Sequence, residues 1–307
     1  MSVQPAILDP VLAPRGPAVV PARQPGAPDI ATQIGQFVRR KPLGAIGAAL
    51  IILFLLLAIC AQWLAPYPYD LAVATRLQPP SFAHPFGTDA NGRDLLSRII
   101  WGARVSVTIG FGAVILSTLF AVSVGVMSGY FGGILDLLVQ RVVDIWISFP
   151  ALVLLVSLVA IVGPGLVSTT LVLGVLLAPG TSRVVRSAVL AMRIEPYVES
   201  ARCIGAGHWR IVRRYVLPNV SAAILVLATS QLGVAILAES TLSFLGYGVP
   251  PPFPTWGAML SGSGRAYMLQ SPWLSIWPGL AISAAVFGFN MLGDALRDVL
   301  DPRLRGR

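Results

Sequence analysis

Long apolar runs dominate this sequence and constrain its fold more than any other feature. The first, PLGAIGAALIILFLLLAICAQWLA at 42–65, contains no charged residue. A helix of about 20 apolar residues crosses the hydrocarbon core of a bilayer, and a spanning segment must satisfy its backbone hydrogen bonds internally. The run therefore predicts a membrane helix.

Further apolar runs of spanning length lie at about 105–129, 140–162, 166–185, 220–241 and 273–293. The chain is 55% hydrophobic and only 11% charged, whereas about a quarter of an ordinary soluble domain is charged. We predict an all-α integral membrane protein with six transmembrane helices. The third and fourth spans are the least regular, because charged residues begin one and Pro179-Gly180 interrupts the other.

The domain organisation follows from a change in composition near residue 38. The first 30 residues hold seven prolines among Ala, Val and Gly, and such a composition cannot bury a core. We predict that residues 1–38 form a disordered Pro/Ala-rich tail. Residues 39–307 then form a single membrane domain.

The arginines predict the orientation, since cytoplasmic loops carry an excess of basic residues. With both termini inside, the basic clusters at 15–41, 183–214 and 297–307 are all cytoplasmic. Because the net charge of +9 is spread over these clusters, it does not form the single patch of a nucleic-acid binder. We predict an N-in, C-in topology and no nucleic-acid partner.

The residues expected of an enzyme or metal site are missing from the sequence. Lys41 is the only lysine and no glycine-rich loop precedes it, so a Walker A motif cannot be written. Cys60 and Cys203 lie at different depths, and His84 and His208 fall on opposite sides of the predicted membrane. We predict no catalytic residue, no metal and no cofactor, and ATP hydrolysis, if used, in another chain.

The segment ESARCIGAGHWRIVRRYVLPNV at 199–220 combines four arginines with apolar residues between two predicted spans. Gly205 and Gly207 weaken a continuous helix, so two short helices with a bend are as reasonable as one. Two interpretations remain open: a helix lying flat on lipid headgroups, or a docking element for a partner protein. As a single helix, the segment would present one face made of Ala201, Ile204, Gly205, His208, Trp209, Val212 and Tyr215.

The spacing within this segment favours docking. Glu199, Ala201, Gly205 and Leu217-Pro218 resemble the EAA loop of binding-protein-dependent ABC importer permeases. The sequence departs from that pattern at Ser200, where a second alanine is usual, and at Tyr215.

Three further segments, at 84–107, 129–150 and 239–260, are similar to the C-type permease subunit of the dipeptide, oligopeptide and nickel importers. The resemblance implies a multi-pass protein of the cytoplasmic membrane, with a cytoplasmic coupling helix at 195–218 between spans 4 and 5. It also implies a complex with a homologous B-type permease subunit, two ABC ATPase subunits and an extracytoplasmic substrate-binding protein. The coupling residues that it implies are Glu199, Ser200, Ala201, Gly205, His208, Trp209, Leu217 and Pro218.

Short peptides are the expected cargo, with nickel chelates or other small solutes as the alternative and a passive channel as the more distant one. Polar and ionisable residues within membrane segments suggest function, so Asp144, Glu239 and Asn290 are candidates for lining a translocation path. A polar residue in a bundle more often forms an interhelical hydrogen bond. We expect Asp136 and Arg141 to extend to the membrane surface and Asp144 to be within reach of Arg141.

Overall fold

The computed structural model describes residues 39 and 41–300. The predicted disordered tail at 1–38 and the basic cluster at 301–307 lie outside the described residues. The described part is helical, and its helices are α1 Pro42–Ile59, α2 Ala61–Leu64, α3 Leu95–Phe131, α4 Gly133–Ser148, α5 Ala151–Val162, α6 Leu166–Arg193, α7 Pro196–Cys203, α8 His208–Ile211, α9 Leu217–Phe244, α10 Trp256–Met259 and α11 Trp273–Leu300. Two π-helical turns, Val212–Val216 and Leu260–Gly264, join α8 to α9 and follow α10.

Within residues 41–300, five helices are long and apolar enough to cross a membrane: α1, α3, α6, the continuous helix His208–Phe244 and α11. The pair α4 and α5 passes the same criteria together but is bent by 93°. The predicted third span is therefore a broken helix. The break has a local cause: Pro150 has no N–H and disfavours helical geometry in the residue before it, and Phe149 is extended at φ −82° and ψ 142°.

Helix α3 is 37 residues long. It begins where the side chain of Asp94 accepts a hydrogen bond from the backbone N–H of Ser97 at 2.8 Å, a cap that satisfies one of the free donors of the first turn. From this cap the chain continues as a single helix of about 55 Å at 1.5 Å per residue. It exceeds the roughly 30 Å hydrocarbon core.

Helices α3 and α6 form the most extensive helix pair of the bundle. Glycines let their backbones approach: a Cβ atom on Gly125 would lie 2.7 Å from the carbonyl oxygen of Ser182, and one on Gly129 would lie 2.9 Å from that of Arg186. Small residues at such contacts bring membrane helices together where no hydrophobic effect drives them. The pairing of α3 with α6 therefore requires glycine at both positions.

Two groups of contacts define the two ends of the bundle. At one end the segment before α3 and the segment after α9 meet, with the rings of Tyr69 and Phe253 stacked at a centroid distance of 6.3 Å. At the other end Lys41, before α1, pairs with Asp298, near the end of α11, at 2.5 Å. The segments predicted to be extracytoplasmic thus share one end of the molecule.

Ion pairs attach α4 to α6. Asp136 accepts two hydrogen bonds from Arg186, at 2.6 and 2.5 Å, and a third from Ser128. The position at the membrane surface that the sequence predicts for Asp136 and Arg141 stays a prediction. Asp136 is paired with a cation on the neighbouring helix, whereas the side chain of Arg141 is 73% exposed.

We expect Gly125→Ala to destabilise the bundle, because the added methyl group would press against the backbone of α6. Overpacking of this kind costs roughly 1–3 kcal/mol. The midpoint of unfolding by SDS in mixed micelles measures the effect. Gly180→Ala is the matched control, since Gly180 is also helical and a Cβ there meets no heavy atom within 4 Å; equal midpoints for the two variants would contradict the proposed close contact.

Candidate functional site

The segment from 195 to 218 contains two short helices, α7 and α8. Pro196 occupies the first turn of α7, where its missing N–H is tolerated. The chain turns at Gly205, whose φ of +81° is a left-handed conformation that glycine adopts without strain. Of the two arrangements that Gly205 and Gly207 left open, the pair of short helices with a bend is present and the single continuous helix is not.

One side of this segment is buried against the bundle. Its buried residues join one apolar cluster with the end of α3 and the last half of α6. This cluster attaches the segment to two spans at once. The buried members that the segment contributes are Val198, Ala201, Ile211, Val212 and Val216.

On the side of the segment that faces away from the bundle, large apolar side chains are exposed. Ile204 is 81% exposed and Trp209 is 73% exposed. Trp209 also lines a shallow cavity of about 380 Å³ with Arg210, Arg213 and Arg214. Trp209 thus lies beside three guanidinium groups, and the described residues leave both of these bulky apolar side chains uncovered.

The bend divides the face that a single helix would have formed. Ala201 and Val212 turn into the bundle, whereas Ile204 and Trp209 turn away from it. A Cβ on Gly205 would meet no heavy atom within 4 Å, so within this chain that glycine is required for its φ and not for a close approach.

The remaining predicted coupling residues lie around this exposed surface. Glu199, Ser200, His208 and Pro218 are exposed and Leu217 is half-buried. The Ser200 hydroxyl donates to the carbonyl of Pro196 at 2.9 Å, so serine is accommodated where the family pattern has alanine.

Tyr130, near the end of α3, connects the segment to the bundle. Its side chain is buried, and its hydroxyl is hydrogen bonded to Nδ1 of His208 at 3.0 Å. The guanidinium of Arg202 lies 5.8 Å from the centre of the Tyr130 ring, within the range of a cation–π contact. Arg193 of α6 donates to the Tyr130 carbonyl at 3.1 Å. Tyr130 therefore joins α3, α6, α7 and α8.

Sequence reasoning missed Tyr130. It lies within the segment 129–150 on which the family resemblance was based, but no spacing or charge pattern pairs it with a histidine that follows far along the chain. The one available signal was its position at the end of an apolar run. A tyrosine there is expected to be buried, and a buried tyrosine hydroxyl usually finds a partner.

The three candidates for a translocation path lie apart from one another. Glu239 is fully buried and accepts hydrogen bonds from Ser243 at 2.7 Å and from Ser106 of α3 at 3.1 Å. It joins α9 to α3 in this conformation, which is the interhelical role that polar residues in bundles usually have.

The other two candidates also face neighbouring helices. Asp144 pairs with Arg183 of α6 and lies 3.8 Å from Arg141, the partner expected from the sequence. The Asn290 side chain lies against α9 at Gly233. A part in the path stays a prediction for all three residues.

The architecture defines a class of protein: a multi-pass helical membrane protein with a structured loop segment at one end. Comparison with known families shows which family within this class the chain belongs to. The chain belongs to the binding-protein-dependent transport system inner membrane components, whose family model matches residues 121–306. A second model, for the N-terminal TM domain of oligopeptide transport permease C, matches residues 36–80. The resemblance to the C-type permease of ABC importers and the location in the cell membrane are confirmed.

Individual relatives cover most of the chain. The dipeptide transport system permease protein DppC of Alkalihalophilus pseudofirmus is 40% identical over 87% of this chain and 88% of its own length. The glutathione transport system permease protein GsiD of Pectobacterium atrosepticum is 38% identical over 85% of this chain and 87% of its own length.

We expect Tyr130→Phe to loosen the segment without unfolding the bundle, because it removes one hydroxyl and keeps the buried ring. A hydrogen bond contributes about 1 kcal/mol, so amide hydrogen exchange across α7 and α8 should accelerate roughly fivefold. Tyr197→Phe is the control, since the Tyr197 hydroxyl makes only a bond to the sulfur of Met192. Unchanged exchange in Tyr130→Phe would show that the hydroxyl does not hold the segment.

Proposed function

We propose that this chain is the C-type permease subunit of an ATP-driven importer of short peptides. The names of the relatives support a peptide-like cargo, since one is a dipeptide permease and another a glutathione permease. The proposed complex contains a homologous B-type permease, two ATPase subunits and an extracytoplasmic binding protein. Nucleotide binding is assigned to the ATPases, because the sequence has no Walker A motif.

We further propose that the exposed face of 195–218 docks on an ATPase subunit. The observation that carries this proposal is the exposure of Ile204 and Trp209 on a segment whose other side is firmly packed. Trp and Arg are the residue types most enriched among the energetically dominant positions of protein interfaces. A preorganised surface also loses little conformational entropy when a partner binds.

The connections of the segment explain how docking could drive transport. Helix α8 continues through the π turn into α9, so that His208–Phe244 is one continuous helix. The apolar cluster and Tyr130 attach the same segment to α3 and α6. A displacement of the docked face by closing ATPases would therefore pass to three spans together, as rocking motions in transporters require.

The alternative is a surface helix whose arginines bind lipid phosphates. Arg210, Arg213 and Arg214 are also suited to that role. Glu199 and the neighbouring Glu195 favour a protein partner, because acidic groups on the same segment would be repelled by an anionic membrane surface. The alternative cargo, a nickel chelate or other small solute, leaves the docking proposal unchanged.

We expect Trp209→Ala to weaken association with the ATPases while leaving assembly with the sister permease intact. Truncation of a central interface tryptophan costs on the order of 2 kcal/mol or more, equivalent to roughly thirtyfold in the dissociation constant. Co-purification and titration of the ATPases against the reconstituted permease pair measure the loss. Trp63→Ala is the matched control, since Trp63 is equally exposed, at 78%, in α2.

If Trp209→Ala retains wild-type ATPase affinity and transport, the docking proposal fails. Slower amide hydrogen exchange of α7 and α8 in anionic nanodiscs than in neutral ones would then favour the lipid interpretation.

The topology has a separate test. In a background without Cys60 and Cys203, Leu269→Cys should be labelled by a membrane-impermeant thiol reagent added outside intact cells, whereas Ile204→Cys should react only after permeabilisation. Both positions are highly exposed, at 95% and 81%, so accessibility within the protein does not bias the comparison. Labelling of Ile204→Cys from outside would reverse the predicted orientation.

A further inference from the structure

A cavity of about 360 Å³ lies at the end of the bundle opposite the docking segment. Its walls come from the loop before α3, the first turn of α3, and the region around α10. One part of the wall is polar and charged, with Asp89, Arg93 and Arg98. The other part is apolar and includes Phe253 and Met259.

Arg98 is unusual within this cavity because it is buried and only partly satisfied. Its side chain is 10% exposed. Within the described part of the chain, its hydrogen bond runs from one terminal nitrogen to the carbonyl of Tyr69 at 2.9 Å. A guanidinium offers five N–H donors, so Arg98 retains unused donors toward the cavity.

The nearby carboxylate is already occupied by another residue. Asp89 accepts from the backbone N–H groups of Asn91 and Arg93 with one oxygen, at 2.8 and 3.0 Å, and from Nε of Arg93 with the other, at 2.7 Å. Nε of Arg98 is 3.6 Å from Asp89, beyond a good hydrogen bond. Two guanidinium groups thus share one carboxylate.

The local charge favours an anion. Asp89, Arg93 and Arg98 together carry a net charge of +1, and the other acidic group acting on Arg98, Asp70, is exposed to solvent, which screens its field. A planar guanidinium with free donors is matched in geometry by a carboxylate, which it binds with two parallel hydrogen bonds.

We propose that this cavity is a binding site for the terminal carboxylate of a short peptide, with the C-terminal side chain against the apolar wall. The charged and apolar parts of the cavity correspond to the two parts of such a ligand. The volume is also of the size that small-molecule sites have. This inference rests on the proposed peptide cargo, and it assigns to the permease a contact that recognises the chain terminus common to all peptides.

The test uses the permease pair with its ATPases in nanodiscs, without the binding protein. Calorimetric titration with Ala-Leu and with its C-terminal amide compares a carboxylate with a neutral group of similar shape. We expect the amide to bind at least tenfold more weakly, because charge-assisted hydrogen bonds are lost. Arg98→Gln should reduce Ala-Leu binding to the level of the amide and leave amide binding unchanged.

Arg104→Gln is the matched control, because Arg104 is an exposed arginine on the same helix that lies over Trp101, outside the cavity. Ala266→Phe is a second variant that narrows the cavity without touching a charge, and it should weaken both ligands. If Arg98→Gln fails to assemble, the binding of Ala-Leu and its amide to Ala266→Phe and to Arg93→Gln tests the proposal instead.

Equal binding of Ala-Leu and its amide, undetectable binding of both, or full binding by Arg98→Gln overturns the inference. If Arg98→Gln instead loses association with the binding protein while Ala-Leu does not bind the wild type, the cavity receives an acidic side chain of that partner and the peptide site is wrong. Transport of Ala-Leu by the complete wild-type system is measured separately, and its absence would contradict the proposed function itself.

Discussion

The close contact between α3 and α6 is the interaction on which the rest of the bundle depends. In a bilayer, helices gain nothing from burying apolar surface against each other, because lipid is equally apolar. Packing at short range must supply the attraction, and Gly125 and Gly129 make that range possible. Once these two helices are joined, α3 carries the outer loop contacts at its start and Tyr130 near its end, while α6 holds α4 through Arg186.

Ionisable groups inside the bundle also hold helices together, because their partners lie within the bundle. Asp136 is paired and hydrogen bonded, and Glu239 is surrounded by serine hydroxyls. An unsatisfied charge at membrane depth costs several kcal/mol, so each of these groups also fixes the spacing of the helices that satisfy it. Arg98 differs because its unused donors face a cavity and not a neighbouring helix.

The sequence predicted the class of fold and the segment proposed to dock, because both depend on local patterns: runs of apolar residues, and glycines flanked by arginines. It left a bend near Gly205 and a continuous helix both open, and it did not predict which side chains would turn outward, since that depends on how α7 and α8 pack on α3. The partners of Asp136 and His208 were out of reach for the same reason: Arg186 and Tyr130 lie 50 and 78 positions away.

The π turn at Val212–Val216 affects the angle between the side chains that precede it and those that follow it along the helix. Each residue of an α-helix advances the side chains by about 100°, and a π turn accommodates one residue more per turn than its α-helical equivalent. Deleting a single residue there would convert the π turn into an α turn, which completes its rotation with one residue fewer, so Trp209 would keep nearly the same angular position relative to the faces of α9. A deletion in the α-helical part of α9 would instead rotate Trp209 by about 100°. The π turn thus accommodates its extra residue without changing the alignment between the exposed face of the segment and the span.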